Sequence, residues 1–140
     1  MRFGFKTSPQ NTTWQDMLDV WRAADEIELF ESGWNFDHFY PIFSDPTGPC
    51  LEGWSTLTAL AQATSRIRVG VLVTGLPYRH PAVLANMAAT VDIISNGRLE
   101  LGLGAGWNQE EADAYGIDLG ASLTERFDRF DEGVEIILSL

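Results

Sequence analysis

The stretch Ile67–Asn108 reads IRVGVLVTG, LPYRH, PAVLANMAATVDIIS and NGRLELGLGAGWN in succession, and these four pieces spell out one strand–helix–strand unit. Ile67 to Thr74 is β-branched and nearly uncharged, the pattern of a buried strand, and Gly75 ends it. Pro81 suits the first position of a helix, where its missing N–H costs nothing. Val83, Leu84, Met87, Ala88, Val91 and Ile94 supply the apolar stripe of that helix, and Asn96-Gly97 closes it. Arg98 to Gly104 then alternates Leu99, Leu101 and Leu103 against Glu100, Gly102 and Gly104, a second strand. Two strands joined through a helix pair in parallel, because the crossover returns the chain to the end of the sheet where it began.

The same unit recurs on both sides of this stretch. Upstream, Arg2–Lys6 is a short strand pattern broken by the turn chemistry of Thr7-Ser8-Pro9-Gln10. Thr12 and Gln15 have capping-box spacing for a first helix carrying Trp14, Met17, Leu18, Trp21 and Ala24, with Gly33 expected to end it. Trp34–Tyr40 reads as strand two, Pro41–Pro49 as a loop, and Leu51–Thr64 as helix two with Leu51, Trp54, Leu57, Thr58 and Ala61 on one face. Downstream, an acidic segment, Gln109–Gly120, precedes a last helix from about Thr124, with Phe127, Phe130, Val134, Ile137 and Leu138 at helical spacing. Strict alternation of strand and helix predicts an α/β chain with a parallel sheet. An open doubly wound sheet and a piece of a (β/α)₈ barrel both satisfy that string.

Composition narrows the function classes. The 140 residues are 45% hydrophobic and 21% charged, enough apolar material for one globular domain. Nine Lys and Arg against twenty Asp and Glu give a formal charge of −11, which repels phosphate backbones and anionic lipid and excludes nucleic-acid and membrane-surface roles. A single cysteine, Cys50, leaves no intramolecular disulfide and fits a reducing cytoplasm. No stretch reaches the roughly 18 apolar residues of a membrane span, and the amino terminus lacks the pattern of a signal peptide.

In either parallel architecture ligands sit at the carboxyl ends of the strands, so position selects the candidates. They are Thr7, Ser8 and Gln10 after strand one and Asp37 and His38 at the end of strand two. Strand three contributes Thr74, Gly75, Tyr78, Arg79 and His80, and strand four Gly104 to Asn108. His38 is a candidate proton donor or acceptor, whereas His80, just before Pro81, reads as a helix cap. No histidine pair has metal-ligand spacing, so no metal is expected. Gly102-x-Gly104-x-Gly106 is not the GxGxxG of a dinucleotide fold; glycines at a strand end let a flat ligand approach the backbone. Glu110-Glu111-Ala112-Asp113 reads as solvated surface. Trp14, Trp21 and Trp54 read as core anchors and Trp107 as a pocket wall.

Four motifs together resemble the luciferase-like monooxygenase superfamily, with most likeness to the F420-dependent oxidoreductases of actinobacteria. They are Asp37-His38-Phe39-Tyr40-Pro41, Gly70–Gly75, Tyr78-Arg79-His80-Pro81-Ala82 and Asn96–Asn108, in order along the whole chain. The resemblance implies a TIM barrel with a flavin or deazaflavin at its carboxyl-terminal mouth, F420 or alternatively FMN. It further implies His38 as the catalytic proton carrier. The implied cofactor-binding residues are Asp37, Leu72, Val73 at a non-prolyl cis peptide, Thr74, Ala105, Gly106 and Asn108. Trp107 stands where the superfamily's sugar-phosphate dehydrogenases have a glutamate, and Ile42-Phe43 where they have a tryptophan. Both departures argue against a sugar phosphate, and Tyr40, Phe43 and Trp107 suggest an apolar substrate pocket.

A complete barrel has eight βα units in about 250 residues. The expectation for residues 1–140 is therefore a luciferase-like domain truncated to its first units, an α/β fold forming the N-terminal (β/α)₄ half of a TIM (β/α)₈ barrel. Such a half presents open sheet edges, so it is expected to form a homo-oligomer or to depend on a missing C-terminal half-barrel. Two functions stay open: an oxidoreductase exchanging hydride with a small organic substrate, or a non-catalytic half-barrel that self-associates without a complete cofactor site.

Overall fold

The computed structural model describes all of residues 1–140. In chain order the elements are β1 (Phe3–Lys6), α1 (Trp14–Asp25), β2 (Phe30–Asn35), α2 (Gly53–Ala63) and β3 (Arg68–Gly75). A 3₁₀ turn (Leu76–Tyr78), α3 (Pro81–Ile94), β4 (Leu99–Gly104), α4 (Gln109–Tyr115) and α5 (Leu123–Ser139) follow. The strands form one parallel sheet in the order β1-β2-β3-β4. A doubly wound sheet reverses strand order at a switch point. This sheet does not, and one core joins its outer face to Met17 and Trp21 of α1, Leu57 and Leu60 of α2, Leu84 of α3 and Phe130 of α5. Consecutive parallel strands with their helices on one side are a segment of a barrel wall, a (β/α)₄ half-barrel.

The core lies between the helices and the outward side chains of the sheet. Trp21, Leu57, Leu60, Ile67, Val69, Val71 and Leu84 have no exposed surface. On the opposite face the Trp34 indole covers Gly70, where an added Cβ would lie 2.5 Å from the ring and 2.6 Å from the Glu100 carbonyl oxygen. That face would be the barrel interior. Arg68 and Glu100 form an ion pair across β3 and β4.

Several local boundaries differ from those read in the sequence. The N-cap of α1 is Thr13, not Thr12: its hydroxyl accepts from the Asp16 N–H, and Asp16 returns a carboxylate to the Thr13 N–H. Gly33 does not end α1 but lies inside β2, paired with Val69. Helix α1 stops at Asp25 instead, whose buried carboxylate accepts from the backbone N–H groups of Ser65, Arg66 and Ile67. As a result β2 is shifted earlier in the chain than Trp34–Tyr40, and Phe36, Asp37 and His38 fall just beyond the strand. The acidic segment after Asn108 is also helical at α4, capped by the Asn108 side chain. No helix is long and apolar enough to cross a membrane.

Asp25 ties the loop before β3 to the end of α1. Burial alone would raise its carboxyl, but the Ile67, Ser65 and Arg66 N–H donors hold it below the ordinary carboxylate value of 3.8. Asp25→Asn is expected to cost about 1.5–3 kcal/mol, the scale of hydrogen bonds to a charged acceptor, read by urea denaturation near neutral pH. Because the folded value is depressed, this contribution is present above 3.8 and fades as pH falls toward and through the lower folded value. The gap between wild type and variant should narrow in acid.

Candidate functional site

The carboxyl ends of the strands open into a cleft of about 470 Å³. Its floor is set by an interruption in β3. The register with β4 shifts between Val71 and Thr74, and the Leu72–Val73 peptide is cis. Leu72 and Val73 stand out of the strand into the cleft, 45% and 41% exposed. Beside them the β4 loop carries no large side chain until Trp107. Gly106 turns at φ +78°, and an added Cβ would sit 3.1 Å from Leu119 and 3.3 Å from Pro77, so conformation and space both reserve the position for glycine. Arg126 Nη1 donates to the Gly106 carbonyl at 3.2 Å and fixes the loop.

His38 enters from the β2 end. Its Nδ1 lies 2.8 Å from Glu111 Oε2, while Nε2 makes no hydrogen bond and is not enclosed. The ring stands edge-to-face with Phe36 and Trp107, centroids 5.2 and 5.6 Å away. Glu111 has no exposed surface. Its carboxylate also accepts from the Phe39 N–H at 2.5 Å and from the Tyr78 hydroxyl. Burial works to raise this carboxyl, yet His38, Tyr78 and Phe39 together hold it below the ordinary range. Burial, reinforced by Glu111, pushes the Tyr78 phenol up, so it stays protonated.

Next to this cluster lies a second one. Asp37, 2% exposed, is held bidentate by Arg79, with Nη1–Oδ2 at 2.5 Å and Nη2–Oδ1 at 2.8 Å. Burial nonetheless raises the Asp37 carboxyl. Burial also raises the Cys50 thiol to about 11, helped by Glu111, which leaves it protonated and a poor nucleophile near neutrality.

Of the residues singled out from the sequence, Asp37, His38, Phe43, Leu72 and Val73 line one cleft with Ala105, Gly106 and Trp107. Phe43 and Trp107 are 63% and 64% exposed. Three residues are turned elsewhere. Thr74 is fully buried, its hydroxyl accepting from the Trp54 indole N–H at 3.1 Å. Asn108 caps α4 through the Glu111 N–H and donates from Nδ2 to the Tyr40 hydroxyl at 3.1 Å. Tyr40 is thereby tied to Asn108 and does not line the cleft. His80 caps α3, its Nδ1 accepting from the Ala82 N–H. Glu111 is the residue the sequence reading missed, since Glu110–Asp113 was expected to be solvated. The signal was the Asn108-x-x-Glu111 spacing, which puts Glu111 at the third position of a capped helix. Lys6 and Phe127 also line the cleft without having been singled out.

Comparison with known proteins gives this geometry a family. The chain is 32% identical over its whole length to an F420-dependent glucose-6-phosphate dehydrogenase of Amycolatopsis mediterranei, covering 41% of that protein. It is 36% identical, over 89% of its length, to an F420-dependent hydroxymycolic acid dehydrogenase of Mycobacterium tuberculosis, covering 34% of that protein. It superposes on an F420-dependent secondary alcohol dehydrogenase solved with an F420–acetone adduct, with a TM-score of 0.87 and 26% identity, over 99% of this chain and 41% of that one. The chain thus spans between about a third and two-fifths of the length of these relatives, as a half-barrel would. The family model of the luciferase-like monooxygenases matches residues 1–140, and the chain belongs to that family.

Proposed function

We propose that this chain forms the cofactor-facing half of an oxidoreductase that exchanges hydride between F420 and a small, uncharged alcohol or carbonyl compound. The observation that carries this reading is His38, which lines a cleft floored by the Leu72–Val73 bulge with its Nδ1 anchored to Glu111 and its Nε2 unpaired. The residues present fit a flat tricyclic ring. Leu72 and Val73 offer an apolar shelf, and Gly104 leaves bare a position where a Cβ would lie 2.6 Å from Val73 Cγ2. The Ala105–Gly106 backbone can approach the ring edge as side chains could not. The chemistry that a bound deazaflavin supplies is acceptance or return of a hydride. FMN, with a similar ring, is the alternative occupant.

The chain's own residues do the rest. His38 Nε2 takes the hydroxyl proton of an alcohol, or returns one to a carbonyl oxygen. Phe43, Trp107 and Phe127 wall the substrate side. Lys6 is the one Lys or Arg that lines the cleft, its Nζ 5.8 Å over the Phe36 ring, while Arg79 is paired with Asp37, so no arginine cluster faces the cleft to grip a phosphate. An uncharged substrate suits that wall better than a sugar phosphate.

A second reading is favoured by the open sheet. Strands β1 and β4 each have a neighbour on one side only. A half-barrel that self-associates, with a second copy covering these edges or with further βα units doing so, need not bind cofactor at all. Anaerobic titration of the purified chain with F420 and separately with FMN, alongside its mass by light scattering, separates the readings. Micromolar binding by an assembly larger than one chain is the expected result. An assembly that binds neither cofactor overturns the enzyme reading in favour of the second.

A further inference from the structure

We propose that Glu111 is a positioning residue that holds His38 in one tautomer, with hydrogen on Nδ1 and the Nε2 lone pair facing the cleft. The proposal rests on the reading of His38 as proton carrier for its consequence, but its geometry stands by itself. Three strand-end loops converge on this one carboxylate. His38 and Phe39 come from the loop after β2, Tyr78 from the turn after β3, and Glu111 from the helix after β4.

Hydrogen-bond bookkeeping fixes the direction of each contact. A backbone N–H can only donate, so Phe39 donates to Oε1. The Tyr78 hydroxyl is protonated and donates to Oε2. An ionised carboxylate is acceptor-only, so the third partner must bring a hydrogen as well, and His38 Nδ1 is that partner at 2.8 Å. A neutral imidazole with hydrogen on Nδ1 has its lone pair on Nε2. That nitrogen makes no hydrogen bond within the chain. The ring is therefore set to accept a proton from an alcohol hydroxyl in the cleft. Once doubly protonated, it can return the proton to a carbonyl oxygen. Glu111 touches neither substrate nor cofactor and acts only through the ring.

The second histidine supplies an internal reference. His80 Nδ1 accepts from the Ala82 N–H, so its hydrogen sits on Nε2, the opposite tautomer. Long-range ¹H–¹⁵N spectra of the ¹⁵N-histidine-labelled chain, at about pH 8 where imidazoles are ordinarily neutral, should show two different tautomer patterns. His80→Gln assigns them by removing one. In Glu111→Gln the His38 pattern should move toward Nε2–H or an average of the two forms. In Tyr78→Phe, which keeps the carboxylate, it should stay Nδ1–H.

A wild-type His38 carrying hydrogen on Nε2 overturns the proposal, and that measurement needs no variant to fold. A folded Glu111→Gln protein with the wild-type pattern overturns it too. In the active assembly, Glu111→Gln should lower kcat by about 10²-fold or more with KM changed less than about threefold. Failure to bind F420 or FMN would defeat the proposed function while leaving the tautomer result standing.

Discussion

His38→Ala should lower turnover by about 10²–10⁴-fold while changing cofactor affinity by no more than about threefold. The asymmetry follows from where the ring is anchored. Its Nδ1 is tied behind the cleft to Glu111, and its edge-to-face neighbours are Phe36 and Trp107. The apolar shelf for a flat ring is built separately, from Leu72, Val73 and the Gly104–Gly106 backbone. Removing the imidazole deletes the proton carrier but leaves that shelf standing. Water entering the vacated space can carry protons, which sets the lower end of the range. The check is anaerobic, single-turnover decay or recovery of the cofactor absorbance, beside a binding titration of the same variant. Equal loss of affinity and rate would show that His38 supports the binding surface and would remove its proton role. A rate within a few-fold of wild type would do so outright.

Much of this arrangement was legible in the sequence because it is written in local chemistry. The β-branched run into Gly75, Pro81 at a helix start and the Leu–Gly alternation of residues 99–104 each specify an element by short-range sterics and periodicity. Their alternation left two parallel architectures open. Only pairing over long sequence distances decides between them, through the order β1-β2-β3-β4. The misplacement of β2 has the same origin. Gly33 looked like a helix terminator, but what ends α1 is Asp25 gathering N–H groups from forty residues further on. Glu111 was the hardest to see. One carboxylate in an acidic run is indistinguishable by composition from its neighbours, and its burial depends on donors at positions 38, 39 and 78. His38 could be named from its strand-end position, whereas what orients it is a meeting of three loops.

Arg79→Ala is expected to destabilise the fold by about 3–5 kcal/mol, the scale of breaking a buried ion pair by removing one partner. Asp37 is 2% exposed, and the guanidinium supplies both of its side-chain contacts. Without it the carboxylate loses both of these donors while still bearing the desolvation that already raises it in the wild type. The pH dependence has a definite sign. A carboxyl raised in the folded state binds a proton that the unfolded chain has released, so stability falls as pH rises from the ordinary 3.8 through the folded value. Arg79→Ala lifts that folded value further and widens the window upward. The deficit relative to wild type should therefore be largest near neutral pH and shrink toward pH 4. Adding Asp37→Asn should recover part of the loss at neutral pH, because no uncompensated charge then remains, and should flatten the pH dependence. Arg79→Lys should recover little, since a point-charge ammonium cannot reproduce the two-pronged contact. Urea denaturation of the wild type and the three variants at both pH values is the measurement. A deficit below about 1 kcal/mol, or one that neither acid nor Asp37→Asn relieves, would mean that the pair does not hold the β2 and β3 loops together. It would also mean that His38, one residue beyond Asp37, takes its position from Glu111 and the aromatic rings alone.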